Sequence, residues 1–270
     1  MKRTLLALDL AAIASSSFAY NAQLDGGFTY TDHDDNFTDT DNQFELKGTF
    51  YFNPVSTKNA PLNEAAFLGH NSNAYLGYTY NYLESKTILA TKSEADLHTI
   101  YGGIEYFIEQ FYLNGELGFG QSEIKVTSPL GNVTHDSDVT TYRALVGYMP
   151  VSNLLLAAGI DGYQGDSDLE DNRFAVRAKY VAPMDQGQFL NLEADGAFGD
   201  EDEVTLAADY YFDRAFSLGA AYNIQDDGED DVDFFAILSK YFINSNFAVG
   251  GEVGFGNDIQ AFNINATYRF

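Results

Sequence analysis

The chain has four histidines and no cysteine to offer for nucleophilic or metal chemistry. His33 and His135 stand in acidic surroundings, and an Asp–His pair at a loop rim is one way to cleave a peptide bond. His70 and His98 are the other two. No nucleophile, base and orienting group can be assembled around any of the four, so catalysis is not expected. The stretch GDSDLED, residues 165–171, contains D-x-D but lacks the rest of a calcium loop. No glycine-rich phosphate cradle or metal-ligand spacing appears. Neither a metal nor an organic cofactor is expected.

The charges that stand out are those spaced by two between apolar neighbours. They are Arg143, then Arg173, Arg177 and Lys179, then Glu193, Asp195 and Asp209, with Glu45, Lys47, Glu105 and Glu116 elsewhere. A period of two puts each on the opposite face of a strand from the apolar residues beside it. If the apolar faces meet lipid, the charges must face a lumen, because a midplane Arg or Lys on the lipid side costs about 2–4 kcal/mol. Two consequences stay open. Opposed basic and acidic walls would set a transverse field that orders water and favours small polar solutes. Alternatively, the same groups would pair into salt bridges that plug the interior.

The elements that carry these charges repeat along the chain. Leu24, Gly26, Phe28 and Tyr30 alternate with Asp25, Gly27 and Thr29. Phe44, Leu46, Gly48, Phe50 and Phe52 alternate with Gln43, Glu45, Lys47 and Thr49. Counting on in this way gives fourteen strands. Two of them, Leu154 to Ile160 and Val232 to Phe242, are too evenly apolar for a face to be assigned. An even number puts both termini at one end, expected to be the periplasmic one. Connections after strands four, six, eight, ten and twelve are short. Those after strands one, two, three and five are longer, and four connections after odd strands are acidic. These acids are expected to concentrate cations at that mouth. Tyrosine doublets (Tyr51-Phe52, Tyr106-Phe107, Tyr148-Met149, Tyr180-Val181, Tyr211-Phe212 and Tyr241-Phe242) mark the ends of descending strands, where an aromatic girdle is expected.

The last nine residues, FNINATYRF, form a strand that alternates without fault and ends on phenylalanine. This end resembles the C-terminal assembly signal of Gram-negative outer-membrane proteins, with Tyr268 and Phe270 in the recognised positions. At the other end, Lys2 and Arg3, an apolar Leu5 to Ile13 interrupted by Asp9, and Ser17-Phe18-Ala19 read as a secretory leader over 1–19. The remainder, 20–270, reads as one all-β domain, a transmembrane antiparallel β-barrel. Losing the leader removes two bases and one acid, which takes the formal charge from −26 to −27. That acidity argues against nucleic acid as a partner. No run of eighteen apolar residues follows the leader, so helical spans are not expected.

One connection on the short side is long: NPVSTKNAPLNEAAFLGHNS, between strands two and three. Pro61 at a helix start, Glu64 in the first turn, and Ala65 and Ala66 predict one or two turns of helix. Pro61, Leu62, Glu64, Phe67 and Leu68, followed by the ladder Tyr78, Tyr80 and Tyr82, resemble the small "putative porin" family of γ-proteobacterial outer-membrane proteins. The resemblance implies a monomeric barrel in the outer membrane, narrowed by folded-in turns. Insertion by the barrel-assembly machinery is expected from the terminal strand, and passive passage of water, cations and small polar solutes is the expected function. A plugged barrel with a structural or adhesive role is the alternative.

Overall fold

A computed structural model describes residues 19–35, 37–166, 170–226 and 231–270. The expected leader falls outside them except for Ala19. So do Asp168, Asp227, Glu229 and Asp230 of the acidic connections, and the side chain of Asp231.

Fourteen strands fill these residues: β1 (Ala19–His33), β2 (Thr38–Ser56), β3 (Asn73–Ser85), β4 (Lys92–Ile108), β5 (Phe111–Ser128), β6 (Gly131–Val151) and β7 (Leu154–Gly165), then β8 (Glu170–Pro183), β9 (Phe189–Phe198), β10 (Asp202–Tyr211), β11 (Phe216–Asp226), β12 (Asp231–Asn244), β13 (Phe247–Gly256) and β14 (Ile259–Arg269). Each pairs antiparallel with its sequence neighbour, and β1 closes on β14 from Gln23↔Arg269 to His33↔Ile259. The closed antiparallel barrel expected from the alternation is present. Closure matters physically because an open edge in hydrocarbon would leave backbone N–H and C=O groups unpaired.

The period-two pattern resolves into two faces. On β14, Phe262, Ile264 and Tyr268 are exposed on the outside, while Thr267 and Arg269 are buried inside. The two strands without a readable face are settled by their inner neighbours. On β7, Leu155 and Ala157 are buried and Leu156 and Ile160 are exposed. On β12, Ala236 and Phe242 are buried and Phe235, Ile237 and Tyr241 are exposed. Both strands are apolar on both faces because their inner faces pack as well: Leu155 joins the cluster with Tyr112, Leu145 and Met149, and Phe242 meets Leu62.

Two expectations are corrected. The tyrosine doublets do not put both members into a girdle. Phe52, Tyr106, Tyr148, Tyr180, Phe212 and Tyr241 face outward, whereas Tyr51, Met149, Val181, Tyr211 and Phe242 are buried inside. Adjacent residues on a strand must point to opposite faces. The connection after strand five is also not a loop. β5 and β6 run on to meet at Pro129-Leu130, because Gln121 to Thr127 keep the alternation past the apolar band.

Candidate pore

The long connection between β2 and β3 turns into the barrel at the end that carries both termini. Thr57, Ala60, Leu62, Glu64, Ala65, Asn71 and Ser72 are all buried. Its helix, α1, is a single turn, Ala65–Leu68. Glu64 precedes that turn but makes no capping bond. Its carboxylate instead accepts a hydrogen bond from Tyr211 (2.6 Å) and pairs with Lys179 Nζ (2.8 Å). These partners lie on β10 and β8, about half-way round a ring of fourteen from β2, so the segment crosses the lumen. Arg214 donates to the Ala60 and Thr57 carbonyls, and Leu62 N–H donates to the Arg214 carbonyl. Arg269 Nη1 donates to the Leu62 carbonyl at 2.9 Å, with its guanidinium between the Tyr20 and Phe242 rings. Buried backbone groups need such partners once water is excluded. Of the five predicted residues, Pro61, Leu62 and Glu64 are buried in the insertion, and Phe67 and Leu68 pack on its flanks.

Deeper in, the predicted basic row forms a ladder with acids on adjoining strands. Arg143 pairs with Asp195 (2.6 Å) and Asp161 (3.6 Å). Arg173 pairs with Asp161 and with Glu203 (3.8 Å). Arg177 pairs with Asp195 (2.7 Å) and Glu105 (3.7 Å), and Lys179 pairs with Glu64 and with Glu193 (2.8 Å). Most of these charges sit on β6 to β9, so basic and acidic groups alternate along one wall rather than facing one another across the lumen. Register explains it: Arg177 is directly opposite Asp195, and Lys179 opposite Glu193.

The other wall is different. A cavity of about 540 Å³ runs beside β10 to β14, β1 and β2. Asp25, Glu45, Lys47, Asp209, Lys240 and Glu252 line it, with Asn63 of the inserted segment. A second cavity, about 290 Å³, lies on the far side of Asn63 and is lined by Glu64, Glu105, Arg177, Lys179 and Glu193. Glu116 lies apart from both and accepts a hydrogen bond from Tyr75 (2.6 Å). Asp209 accepts one from Asn191 (3.3 Å).

Sequence reasoning missed Asp161, Lys240, Glu252, Arg214 and Arg269 as lumen groups. Asp161 and Lys240 sit on the two strands whose face was unreadable. Asp161, just past the apolar run of β7, offered a signal, but on β12 Asp233 and Lys240 fall on opposite parities and cancel. The histidines do not converge. His33 contacts Asp41 (2.8 Å), His70 contacts the Ser152 carbonyl (2.8 Å), and His98 lies against Tyr78 and Tyr80. Tyr268 and Phe270 stack edge to face on the outer surface, with ring centroids 4.8 Å apart.

A family model described as "putative general bacterial porin" matches residues 3–127 and 158–270. The chain belongs to this family. No curated protein matches the sequence significantly. Among solved structures, this porin is similar to the outer membrane protein Omp33 of Acinetobacter baumannii at 23% identity and a TM-score of 0.65, with 94% of this chain and 99% of that one covered. It also resembles a TodX mutant, a monoaromatic hydrocarbon channel, at 9% identity and TM-score 0.58, covering 94% and 91%. The translocator domain of the autotransporter NalP from Neisseria meningitidis aligns at 10% identity and TM-score 0.54, covering 93% and 88%. At these identities the structures support the shared barrel fold. With the family, they make this porin a Gram-negative outer-membrane protein and support an outer-membrane channel.

Proposed function

We propose that the barrel is a monomeric passive channel for water, ions and small polar solutes, with weak cation selectivity. The observation that carries the reading is the polar cavity of about 540 Å³ beside the inserted segment, lined by charged and amide side chains. A lumen built for apolar cargo would present hydrocarbon there instead. In this reading the leader is removed after Ala19, and Tyr268 and Phe270 present the strand that the assembly machinery recognises. The end bearing the termini faces the periplasm, so the Pro61–Leu68 turn is a periplasmic constriction. The fully crossed lumen favours a second reading, a plugged barrel with a structural or adhesive role. Single-channel recording of purified protein in planar bilayers separates the two. Discrete conductance steps support the channel, and electrically silent insertion of folded barrels supports the plug.

A further inference from the structure

The two lumen walls treat their charges differently. On the β6 to β9 wall each of the four cations, Arg143, Arg173, Arg177 and Lys179, bridges two carboxylates. About 60 Å³ of open space remains beside Arg143 and Arg173, and about 290 Å³ beside Arg177 and Lys179. On the β10 to β2 wall, Asp25, Glu45, Asp209, Glu252, Lys47 and Lys240 surround about 540 Å³. Among the described residues these six make no ion pair within 4 Å. Asp25 and Asp209 accept hydrogen bonds only from neutral donors, Gln23 and Thr267 for one and Asn191 for the other. Lys47 lies 4.3 Å over the Tyr75 ring. Two glycines help keep this wall open. At Gly250 a Cβ would stand 2.4 Å from Asn265 Oδ1, and at Gly27 it would project toward Glu45 and Asn263.

A paired charge acts on a passing ion as a dipole, and its field falls off within a few ångströms. An unpaired charge acts as a monopole. We infer that ions cross this porin along the β10–β14–β1–β2 wall, and that four carboxylates against two ammonium groups there set the sign of the ion that passes. The inference rests on the channel reading above and adds its route and its selectivity residues. It moves control of selectivity from the acidic rim to the corridor. The corridor suits small cations, including ammonium-bearing solutes, and disfavours anions. At about 0.15 M salt the Debye length is about 8 Å, so rim charges fade while wall charges lie within reach of every ion.

The test is the potassium-to-chloride permeability ratio of the full mature protein, measured as reversal potential in a KCl gradient. Removing one carboxylate, by Glu252→Gln or Asp209→Asn, lowers the ratio about twofold, as expected for one partly screened charge at close range. Lys240→Gln raises it by a similar factor. Opposite signs from adjoining positions cannot come from misfolding. The rim change Asp200→Asn with Glu201→Gln leaves the ratio where it was. A ratio that follows the rim residues and ignores the corridor residues overturns the inference. A second readout needs no current. The chain has no native cysteine, so Asn265→Cys places one thiol in the corridor. A cationic thiol reagent labels it faster than its anionic counterpart, and equal or reversed rates overturn the inference. A wild type that conducts nothing sinks the channel reading, while the labelling rates still judge the corridor.

Discussion

Breaking the contact between the inserted segment and the far wall should open the barrel, and Lys179→Met is the sharpest way to do it. The Glu64 side chain is 2% exposed and lies 2.8 Å from Lys179 Nζ, whose own side chain is 21% exposed. Without Lys179 the Glu64 carboxylate stays buried with only the Tyr211 hydroxyl and the Asn63 amide for partners. Removing one member of a buried pair costs about 3–5 kcal/mol, and the residual exposure of Lys179 places this case near the lower figure. At tenfold per 1.4 kcal/mol, that is a shift of about two orders of magnitude or more in the docked-to-released equilibrium. Glu64→Gln should cost less, about 1–2 kcal/mol. Tyr211 can still donate to the amide oxygen, and Lys179 keeps Glu193 at 2.8 Å. The double variant removes the buried orphan and leaves only Glu193, whose side chain is 43% exposed, without its lysine, so it should be milder than Lys179→Met alone. Planar-bilayer recording is the assay: Lys179→Met should raise conductance or lengthen openings, with partial return in the double variant. An intact barrel with wild-type conductance in Lys179→Met, or no relief in the double variant, would refute the reasoning.

Three further outcomes are expected. Deleting Phe270 removes the bonds from its N–H to the Ala22 carbonyl (2.9 Å) and from Asn21 N–H to its own carbonyl (2.8 Å). Heat-modifiable barrel in the outer membrane should fall and protease-sensitive chain should accumulate; full yield would show that the residue is dispensable. Ile264→Arg puts a charge on the lipid face of mid-β14, where the wild-type residue is 69% exposed. It should lose about 2–4 kcal/mol in urea unfolding from bilayers, and an unchanged midpoint would mean the face is wrongly assigned. The third concerns Asp35, in the connection between β1 and β2. Backbone N–H groups of Thr38 and Phe37 hold its carboxyl below the usual aspartate value. Its contribution to loop order is therefore present above the unfolded pKa and is lost as pH falls through the lower, folded one. Protection of the Thr38 and Phe37 amides, relative to the intrinsic exchange rate at each pH, should fall only under such acid conditions, and a loss of protection already at neutral pH would contradict the assignment.

The barrel was legible in the sequence because its outer solvent is uniform. Lipid demands an apolar side chain at every second position, so the strand count, the face of β14 and the inward placement of Arg173, Arg177 and Lys179 follow from alternation alone. The unusual Pro61–Leu68 connection also announced itself, by its length and its helical composition. What alternation cannot supply is the identity of the neighbour across the lumen. That Glu64 meets Lys179 and Tyr211, and that Arg269 holds Leu62, depends on contacts separated by more than a hundred residues. The same holds for the two faceless strands: β7 and β12 lose their pattern where their inner faces pack on buried neighbours, so local hydropathy carries no sign of direction there. The ladder on β6 to β9 and the unpaired corridor opposite it were likewise decided by the closed barrel. Pairing depends on the register between strands and on the segment that crosses between the walls, and neither is encoded in a period of two.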